Sequence, residues 1–259
     1  MTAVRDFTTK ELGAQQPTHT PEMIPIPKWV RVRFAGEWIA DSKNVILLRQ
    51  KGRSPVYYFP IRDVCLEFLE DKGRTGKFPG LGKANLLTVR VGSRVAENSA
   101  WLVVEPTPEA AGIEGYIAFK WADMDAWFEE EEQVYVHPRD PYTRIDVIHS
   151  RRHVRVELNG ETIAETDRPV LLFETGLPAR YYIPLEDVRS ELFEPSDTHT
   201  ACPYKGTASY YSIKVGGKTV KDVAWYYPLP YPEVGKIQNL VSFYPERVDA
   251  IYVDGVKLV

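Results

Sequence analysis

Cysteine and methionine are scarce in this chain, with two and three residues respectively among 259. The sequence has no paired Cys-x-x-Cys motif, the arrangement that supplies thiolates to many structural zinc sites. His149 and His153 could share one side of a strand, but the Ser-Arg-Arg between them favours surface residues over metal ligands. We therefore expect neither a structural metal nor a cofactor.

Long apolar runs and an excess of basic residues are missing as well. No stretch approaches the roughly 18 apolar residues of a membrane span, and the N-terminus has no apolar region typical of a signal peptide. The net charge of −4 and the pI of about 5.8 argue against a general affinity for nucleic acid or anionic membranes. We expect a cytoplasmic protein with no nucleic-acid or membrane partner.

The feature that the sequence does contain is an internal repeat. Residues 30–119 align with residues 154–243 without a gap, every position shifted by 124. Aligned identities include Val30-Arg31-Val32 with Val154-Arg155-Val156, Tyr57-Tyr58 with Tyr181-Tyr182, and Ala100-Trp101 with Ala224-Trp225. We predict two similar domains related by a pseudo-two-fold, a dimer within one chain. Residues shared by both halves then serve the fold, and residues found in one half only are candidates for function.

The repeat also predicts the domain boundaries. The predicted segments are a loose N-terminal arm over residues 1–25, an N-terminal repeat over 26–136 and a C-terminal repeat over 137–259. The glutamate run 129–132, with residues 137–141 after it, is interpreted as a solvated interdomain connection. Cys65 and Cys202 do not occupy equivalent positions of the repeat, which excludes a disulfide framework duplicated with the domain.

Short-range patterns favour β structure. Apolar and polar residues alternate in Val30–Phe34 and Val154–Leu158, as in half-buried strands. Ala35-Gly36 and Asn159-Gly160 follow them and are typical of hairpin turns. Helical spacing is confined to a few short segments, namely residues 61–69, 108–116 and 232–240. The sequence therefore predicts a mainly β protein of two tandem antiparallel domains with short helices.

The two halves differ most over one segment. The C-terminal repeat has Ser196, Asp197, His199, Cys202, Tyr204 and Lys205 where the N-terminal repeat has Lys72, Gly73, Thr75, Phe78, Gly80 and Leu81. Pro79 matches Pro203 and Gly82 matches Gly206, so the two segments should be built alike. We interpret Ser196–Gly206 as a loop that belongs to a ligand or active site, with structural hydrogen bonding as the alternative.

That loop also carries a family resemblance. It reads Ser-Asp-Thr-His-Thr-Ala-Cys-Pro-Tyr-Lys-Gly, and Tyr210-Tyr211, Ala224-Trp225 and Phe243-Tyr244-Pro245 follow it. The series resembles the signature of the bacterial domain of unknown function 427 family. The resemblance implies two tandem copies of a β-tent fold, the N-terminal copy being degenerate because its loop departs from the signature. Nucleotidyl transfer, an activity attached to the family as a label, gains no support here, since Gly82-Lys83 is followed by Ala84 and forms no Walker loop.

Three residues of the loop are candidates for catalysis. Lys205 could bind an anion or transfer a proton, and a solvated lysine is the alternative. Cys202, with His199 and Lys205 nearby, could form a reactive thiolate or could fill an apolar gap. The hydroxyl of Tyr204 could serve as acid, base or nucleophile.

Aromatic residues predict the walls of a pocket. Six tyrosines of the C-terminal repeat replace aliphatic residues, glycine or lysine of the other repeat, namely Tyr204, Tyr210, Tyr211, Tyr226, Tyr227 and Tyr244. The predicted walls are Tyr181, Tyr182, Tyr204, Tyr210, Trp225 and Tyr227, and the predicted polar groups are Ser196, Asp197, His199, Cys202 and Lys205. Rings with a few hydroxyls are typical of small-molecule pockets.

The sequence thus predicts a small-molecule pocket in the C-terminal domain and leaves open whether the pocket catalyses a reaction. One alternative is a non-catalytic module that binds a metabolite or another protein. Another is a purely structural pair of domains.

Overall fold

A computed structural model of the chain describes residues 20–259. It divides into an N-terminal unit that ends at Asp140 and a C-terminal unit that begins at Pro141. Both units consist of antiparallel sheets with short 3-10 helices, which confirms the predicted fold class. No helix within residues 20–259 is long and apolar enough to cross a membrane.

The N-terminal unit contains two sheets. Its strands are β1 (Glu22–Pro25), β2 (Val30–Phe34), β3 (Glu37–Ser42), β4 (Ile46–Arg49), β5 (Val56–Pro60), β6 (Leu69–Phe78), β7 (Gly82–Val91), β8 (Arg94–Pro106), β9 (Tyr116–Phe119), β10 (Ala126–Glu129) and β11 (Glu132–Val134). Its 3-10 helices are Ile61–Asp63, Leu66–Phe68, Pro108–Ile113 and Trp121–Asp123. Seven strands form one sheet in the order β1-β4-β5-β9-β8-β7-β6, and four form the other in the order β11-β10-β2-β3.

The C-terminal unit repeats this arrangement. Its strands are β12 (Ile145–His149), β13 (Val154–Leu158), β14 (Glu161–Thr166), β15 (Val170–Glu174), β16 (Arg180–Tyr182), β17 (Phe193–Cys202), β18 (Gly206–Val215), β19 (Lys218–Tyr226), β20 (Ser242–Phe243), β21 (Ala250–Val253) and β22 (Val256–Lys257). Its 3-10 helices are Leu185–Asp187, Ser190–Leu192, Pro232–Ile237 and Pro245–Arg247. The sheets run β12-β15-β16, β17-β18-β19-β20 and β14-β13-β21-β22. A bridge between Ile183 and Val241 connects the first two, which restores the strand order of the seven-stranded sheet.

The shift of 124 residues holds across whole units. Strands β2, β3, β6, β7 and β10 have the same bounds as β13, β14, β17, β18 and β21 once 124 is added. All four 3-10 helices of one unit match those of the other in the same way. The duplication therefore extends beyond residues 30–119 at both ends, to β1 and β11.

Two predicted boundaries need correction. The end of the predicted arm, Glu22–Pro25, is strand β1, which pairs with β4 and is equivalent to β12. Residues 1–19 of the arm lie outside the described residues. The glutamate run forms the turn of the β10–β11 hairpin rather than an interdomain connection, since Glu129 pairs with Glu132 across the two strands. The carboxylate of Glu130 also accepts a hydrogen bond from the Trp29 backbone N–H at 2.9 Å.

The predicted loop Ser196–Gly206 is a β-hairpin. Residues up to Cys202 belong to β17, and β18 starts at Gly206. The pairing of the two strands shifts register between Ser196 and His199, which is a β-bulge. The turn residues of this segment are therefore accommodated by a bulge on an edge strand and not by a loop.

The predicted hairpin turns and short helices agree with the structure in part. Ala35 and Asn159 have φ of 50° and 49°, and the glycines that follow them also have positive φ, as the Asn-Gly type of turn requires. The helix expected over residues 61–69 is interrupted at Val64, which is extended and forms a bridge with Ala40.

A shared inner core fills the space between the two layers of each unit. In the N-terminal unit it includes Val32, Ile39 and Phe59, and the matching residues of the C-terminal unit are Val156, Ile163 and Ile183. All six are almost completely buried. Equivalent inner-core residues are apolar in both repeats. This common packing explains why the strands of the two units have matching bounds.

Candidate functional site

A second apolar cluster lies on the other face of the long sheet. Side chains alternate along a strand, so Tyr181 enters the inner core and Tyr182 points to the opposite face. We call this second group the outer-face cluster. In the C-terminal unit its buried members are Val170, Leu172, Tyr182, Ala208, Tyr210, Trp225, Tyr227, Val234 and Ile237. Val234 and Ile237 come from the 3-10 helix Pro232–Ile237, which packs on this face.

The centre of the cluster is the same in both units. The Trp225 indole N–H donates to the Tyr182 hydroxyl at 3.3 Å, and Trp101 donates to Tyr58 at 2.9 Å. The rings meet edge-to-face in both pairs, with centroids 6.4 and 6.3 Å apart. Because both repeats keep this contact, we assign Tyr182 and Trp225 to the scaffold on which the site is built.

Removal of either tyrosine hydroxyl should therefore have the same effect in its own unit. Tyr58→Phe and Tyr182→Phe each leave an indole N–H without its acceptor, and each should lower the free energy of unfolding by about 1 kcal/mol. Urea unfolding of protein labelled with 5-fluorotryptophan can follow the units separately, since Trp225 is the one tryptophan after residue 140. A loss confined to Tyr182→Phe would contradict a shared structural role.

Around this centre the C-terminal unit has a nearly buried ion pair. The Lys205 ammonium lies 2.5 Å from the Glu174 carboxylate, and the two side chains are 13% and 9% exposed. The equivalent residues are Leu81, which is buried in the N-terminal cluster, and Gln50, which donates to the Pro79 carbonyl. The ion pair is thus a property of the C-terminal unit alone.

Three hydroxyls form a chain at the edge of the cluster. The Tyr210 hydroxyl lies 2.7 Å from that of Thr200 and 3.1 Å from that of Tyr244. Burial and the hydrogen bond to Tyr210 raise the pKa of Tyr244 to about 12. The phenol of Tyr244 therefore stays neutral well above physiological pH, and its hydroxyl is part of the hydrogen-bonded chain. In the N-terminal unit the residues equivalent to Tyr210, Thr200 and Tyr244 are Leu86, Gly76 and Lys120, respectively.

Tyr227 and Cys202 lie within the same cluster. Burial raises the pKa of Tyr227 far above that of a free phenol, and nearby Tyr182, Cys202, Tyr210 and Glu174 add to this effect. Burial also raises the pKa of Tyr182, with smaller effects from Trp225, Arg180, Cys202 and Glu174. The thiol and the Glu174 carboxylate are thus near enough to the two phenols to act on them electrostatically, although the sequence positions of the four residues span more than fifty residues.

The surroundings of the tryptophan ring differ between the units. In the N-terminal unit Phe78 stacks on Trp101, with centroids 5.4 Å apart and an interplanar angle of 20°. Cys202 stands at the position of Phe78. The Trp225 ring instead has the Tyr244 ring at 4.4 Å and the Arg180 guanidinium at 5.6 Å.

The structure brings together six of the residues predicted for the site: Lys205, Cys202, Tyr182, Tyr210, Trp225 and Tyr227. Tyr204 is half-buried in the β17–β18 turn beside Lys205. Of the other swapped tyrosines, Tyr211 packs against the inner core and stacks on Tyr226 at 4.8 Å.

Four predicted residues lie elsewhere. Tyr181 packs against the inner core because it alternates with Tyr182. The Ser196 hydroxyl donates to Asp222 at 2.6 Å at the bulge, where Asp197 is exposed. His199 is exposed and pairs across the strands with Ser209, whose hydroxyl lies 3.2 Å from its Nδ1. The bulge therefore uses its polar residues for local hydrogen bonds.

Three members of the site were missed, namely Glu174, Arg180 and Thr200, and Tyr244 was recognised as a tyrosine specific to this repeat but was not placed in the pocket. The equivalent residues of the N-terminal repeat, Gln50, Val56, Gly76 and Lys120, differ in chemistry from all four. A comparison of the two repeats at every position would have found Glu174, Arg180 and Thr200.

A pair of equivalent aspartates makes the same hydrogen bond in both units. Asp63 and Asp187 each accept a hydrogen bond at 2.6 Å, from the hydroxyl of Ser42 and of Thr166 respectively. In residues 20–259 no group of three or more His, Cys, Asp or Glu side chains is arranged to hold a metal ion.

Comparison with known proteins gives one family. The pattern of the family described as a domain of unknown function (DUF427) matches residues 22–130 and again residues 146–254. Both segments coincide with the structural repeats, from β1 to β10 and from β12 to β21. None of the curated proteins matches the chain significantly.

Proposed function

The chain belongs to the domain of unknown function 427 family in two tandem copies, and from that premise we propose that its C-terminal copy binds a small molecule at the outer-face cluster. The observation that carries the proposal is a change of side-chain chemistry in one unit only, on strands that are largely equivalent in the two units. Val56, Phe78, Leu81 and Val103 become Arg180, Cys202, Lys205 and Tyr227. Each change puts a hydrogen-bonding group where the sister unit has an apolar one.

Structural reasons alone explain these changes poorly. Burial of polar groups costs free energy unless every one is paired, and the N-terminal unit packs the same face with apolar residues. The inner core keeps its apolar character in both units. A face that becomes polar in only one copy is better explained by recognition of a ligand.

The geometry favours binding over turnover. Lys205 donates to the Glu174 carboxylate as an ammonium ion, which has no lone pair with which to accept a proton. The phenols of Tyr227 and Tyr182 are held neutral by burial. The cluster therefore offers donors and ring surfaces, which orient a ligand, and no base poised for proton transfer.

We expect small ring compounds to perturb Trp225 and not Trp101. Benzoate and benzamide, titrated into the 5-fluorotryptophan protein, serve as probes, and fluorine NMR resolves the single tryptophan of the C-terminal unit. Substitution Trp225→Phe assigns that resonance. At least one probe should shift it in a saturable manner.

A matched substitution tests the location. Cys202→Phe should place a ring against Trp225, as Phe78 does on Trp101, and should abolish the shift while the unit stays folded. The control Phe78→Cys alters the equivalent position of the other unit and should leave the Trp225 response unchanged. No response to either probe, or equal responses at Trp101 and Trp225, would refute the proposal.

A further inference from the structure

The charge of the outer-face cluster differs between the two units. The C-terminal cluster contains two cations, Lys205 and Arg180, and one anion, Glu174. Their equivalents Leu81, Val56 and Gln50 carry no charge. The candidate site therefore has one positive charge in excess, although the whole chain is negative.

The excess charge belongs to Arg180. Its guanidinium is half-buried against Trp225 and acts on Tyr182, whose pKa it lowers against the larger effect of burial. Among residues 20–259 we find no carboxylate paired with it, since Glu174 is engaged by Lys205. Other half-buried arginines have such a partner: Arg49 lies 2.7 Å from Asp140 and Arg155 lies 2.9 Å from Glu157.

A half-buried guanidinium presents its planar fork of N–H donors to whatever approaches the ring beneath it. That fork fits the two oxygens of a carboxylate or phosphate, and such charge-assisted pairs are stronger than hydrogen bonds between neutral groups. The neighbouring phenols of Tyr182 and Tyr227, whose pKa burial raises, stay uncharged and do not repel an anion. Tyr244 and Trp225 supply ring surface for a planar body.

We infer that the C-terminal site takes a small planar molecule that carries a carboxylate or phosphate group, with Arg180 as the residue that binds the anion. This inference rests on the proposed function and specifies its ligand class. Glu174 and Lys205 neutralise each other beside the anion site. The exposed Arg247, which lies over the Tyr244 ring, donates to the backbone carbonyls of Lys221 and Asp222. The half-buried Arg180 is therefore the residue that we expect to distinguish a charged ligand from a neutral one.

Benzoate, phenyl phosphate and benzamide test the inference, because they share one ring and differ in charge. In wild-type protein the two anions should bind more tightly than the amide. Arg180→Val, which installs the residue of the sister repeat, should weaken the binding of at least one anion by about tenfold and change the affinity for benzamide little. Comparison of benzoate with phenyl phosphate identifies the preferred anionic group.

Two controls keep the result decisive. Arg151→Val removes an exposed arginine of the same unit and should leave all affinities unchanged. If Arg180→Val does not fold, as shown by loss of the Trp225 resonance of the folded state, Arg180→Gln is used in its place. Glutamine keeps a polar side chain at this position but has no charge. Equal affinity for benzamide and both anions, or loss of all three probes in equal measure, would overturn the anionic ligand class and leave the binding site itself intact. Absence of any response at Trp225 would instead refute the site.

Discussion

Glu174→Gln is expected to destabilise the C-terminal unit by about 3 kcal/mol, because it leaves the nearly buried ammonium of Lys205 without its counter-charge. Glutamine is the residue that the sister repeat has at this position, so the substitution fits the backbone and tests charge rather than shape. Urea unfolding followed through the Trp225 resonance measures the loss.

A second substitution, Lys205→Leu, added to Glu174→Gln should recover most of the stability that Glu174→Gln loses. Glu174→Gln combined with Lys205→Leu recreates the pair Gln50 and Leu81, which packs without charge. Replacement of a buried ion pair by well-packed neutral residues is often neutral or stabilising. A double variant no more stable than Glu174→Gln alone would show that the loss does not come from an unpaired Lys205 ammonium. The control Gln50→Glu should destabilise the N-terminal unit, since its carboxylate would face Leu81.

Gly82→Ala is expected to destabilise the N-terminal unit by about 3 kcal/mol or more, because strain and a backbone clash combine. Gly82 has φ of +112°, and a Cβ built there would lie 2.1 Å from the Glu105 carbonyl oxygen. That oxygen belongs to β8, which extends to Pro106 and pairs with β7 at this point. Neither strand can move without the loss of its hydrogen bonds.

The equivalent Gly206→Ala should cost less, about 1–2 kcal/mol from the backbone conformation alone. Its φ is +102°, but the nearest atom to a Cβ is the Leu229 carbonyl oxygen at 3.1 Å. Strand β19 ends at Tyr226, so the chain at Leu229 is not fixed in the sheet. The Trp101 and Trp225 resonances report the two units in one urea titration. If Gly206→Ala lowered the free energy of unfolding more than Gly82→Ala does, pairing of the neighbouring strand would not determine how much an added Cβ destabilises its unit.

Much of the fold could be predicted because the signals are local or are repeated. The ungapped shift fixed the equivalence of strands, and the positive-φ residues at 35–36 and 159–160 marked the hairpins. The segment Ser196–Gly206 was misinterpreted because proline, serine and aspartate there are typical of turns. An edge strand tolerates them, since its outer backbone groups need no partner in the sheet.

The site could be predicted only in part, because its members meet through sheet order. Glu174 ends β15 and Lys205 lies in the β17–β18 turn, and β16, β20 and β19 lie between β15 and β18 in the strand order. Their contact therefore depends on the tertiary structure and on no local sequence pattern. Tyr181, by contrast, could have been excluded from the sequence. Adjacent residues of a strand point to opposite faces, so Tyr181 and Tyr182 could not both line one pocket.

The ion pair between Lys205 and Glu174 also bears on how a duplicated chain folds correctly. Tandem domains with matching strand boundaries can exchange equivalent hairpins during folding, and such misassembly is a known hazard of repeat proteins. If hairpin β17–β18 entered the N-terminal unit, it would bring Lys205 against Gln50. If β6–β7 entered the C-terminal unit, it would leave Glu174 beside Leu81. Each exchange buries an unpaired charge at a cost of several kcal/mol, so one pair of side chains distinguishes two hairpins whose backbones are interchangeable.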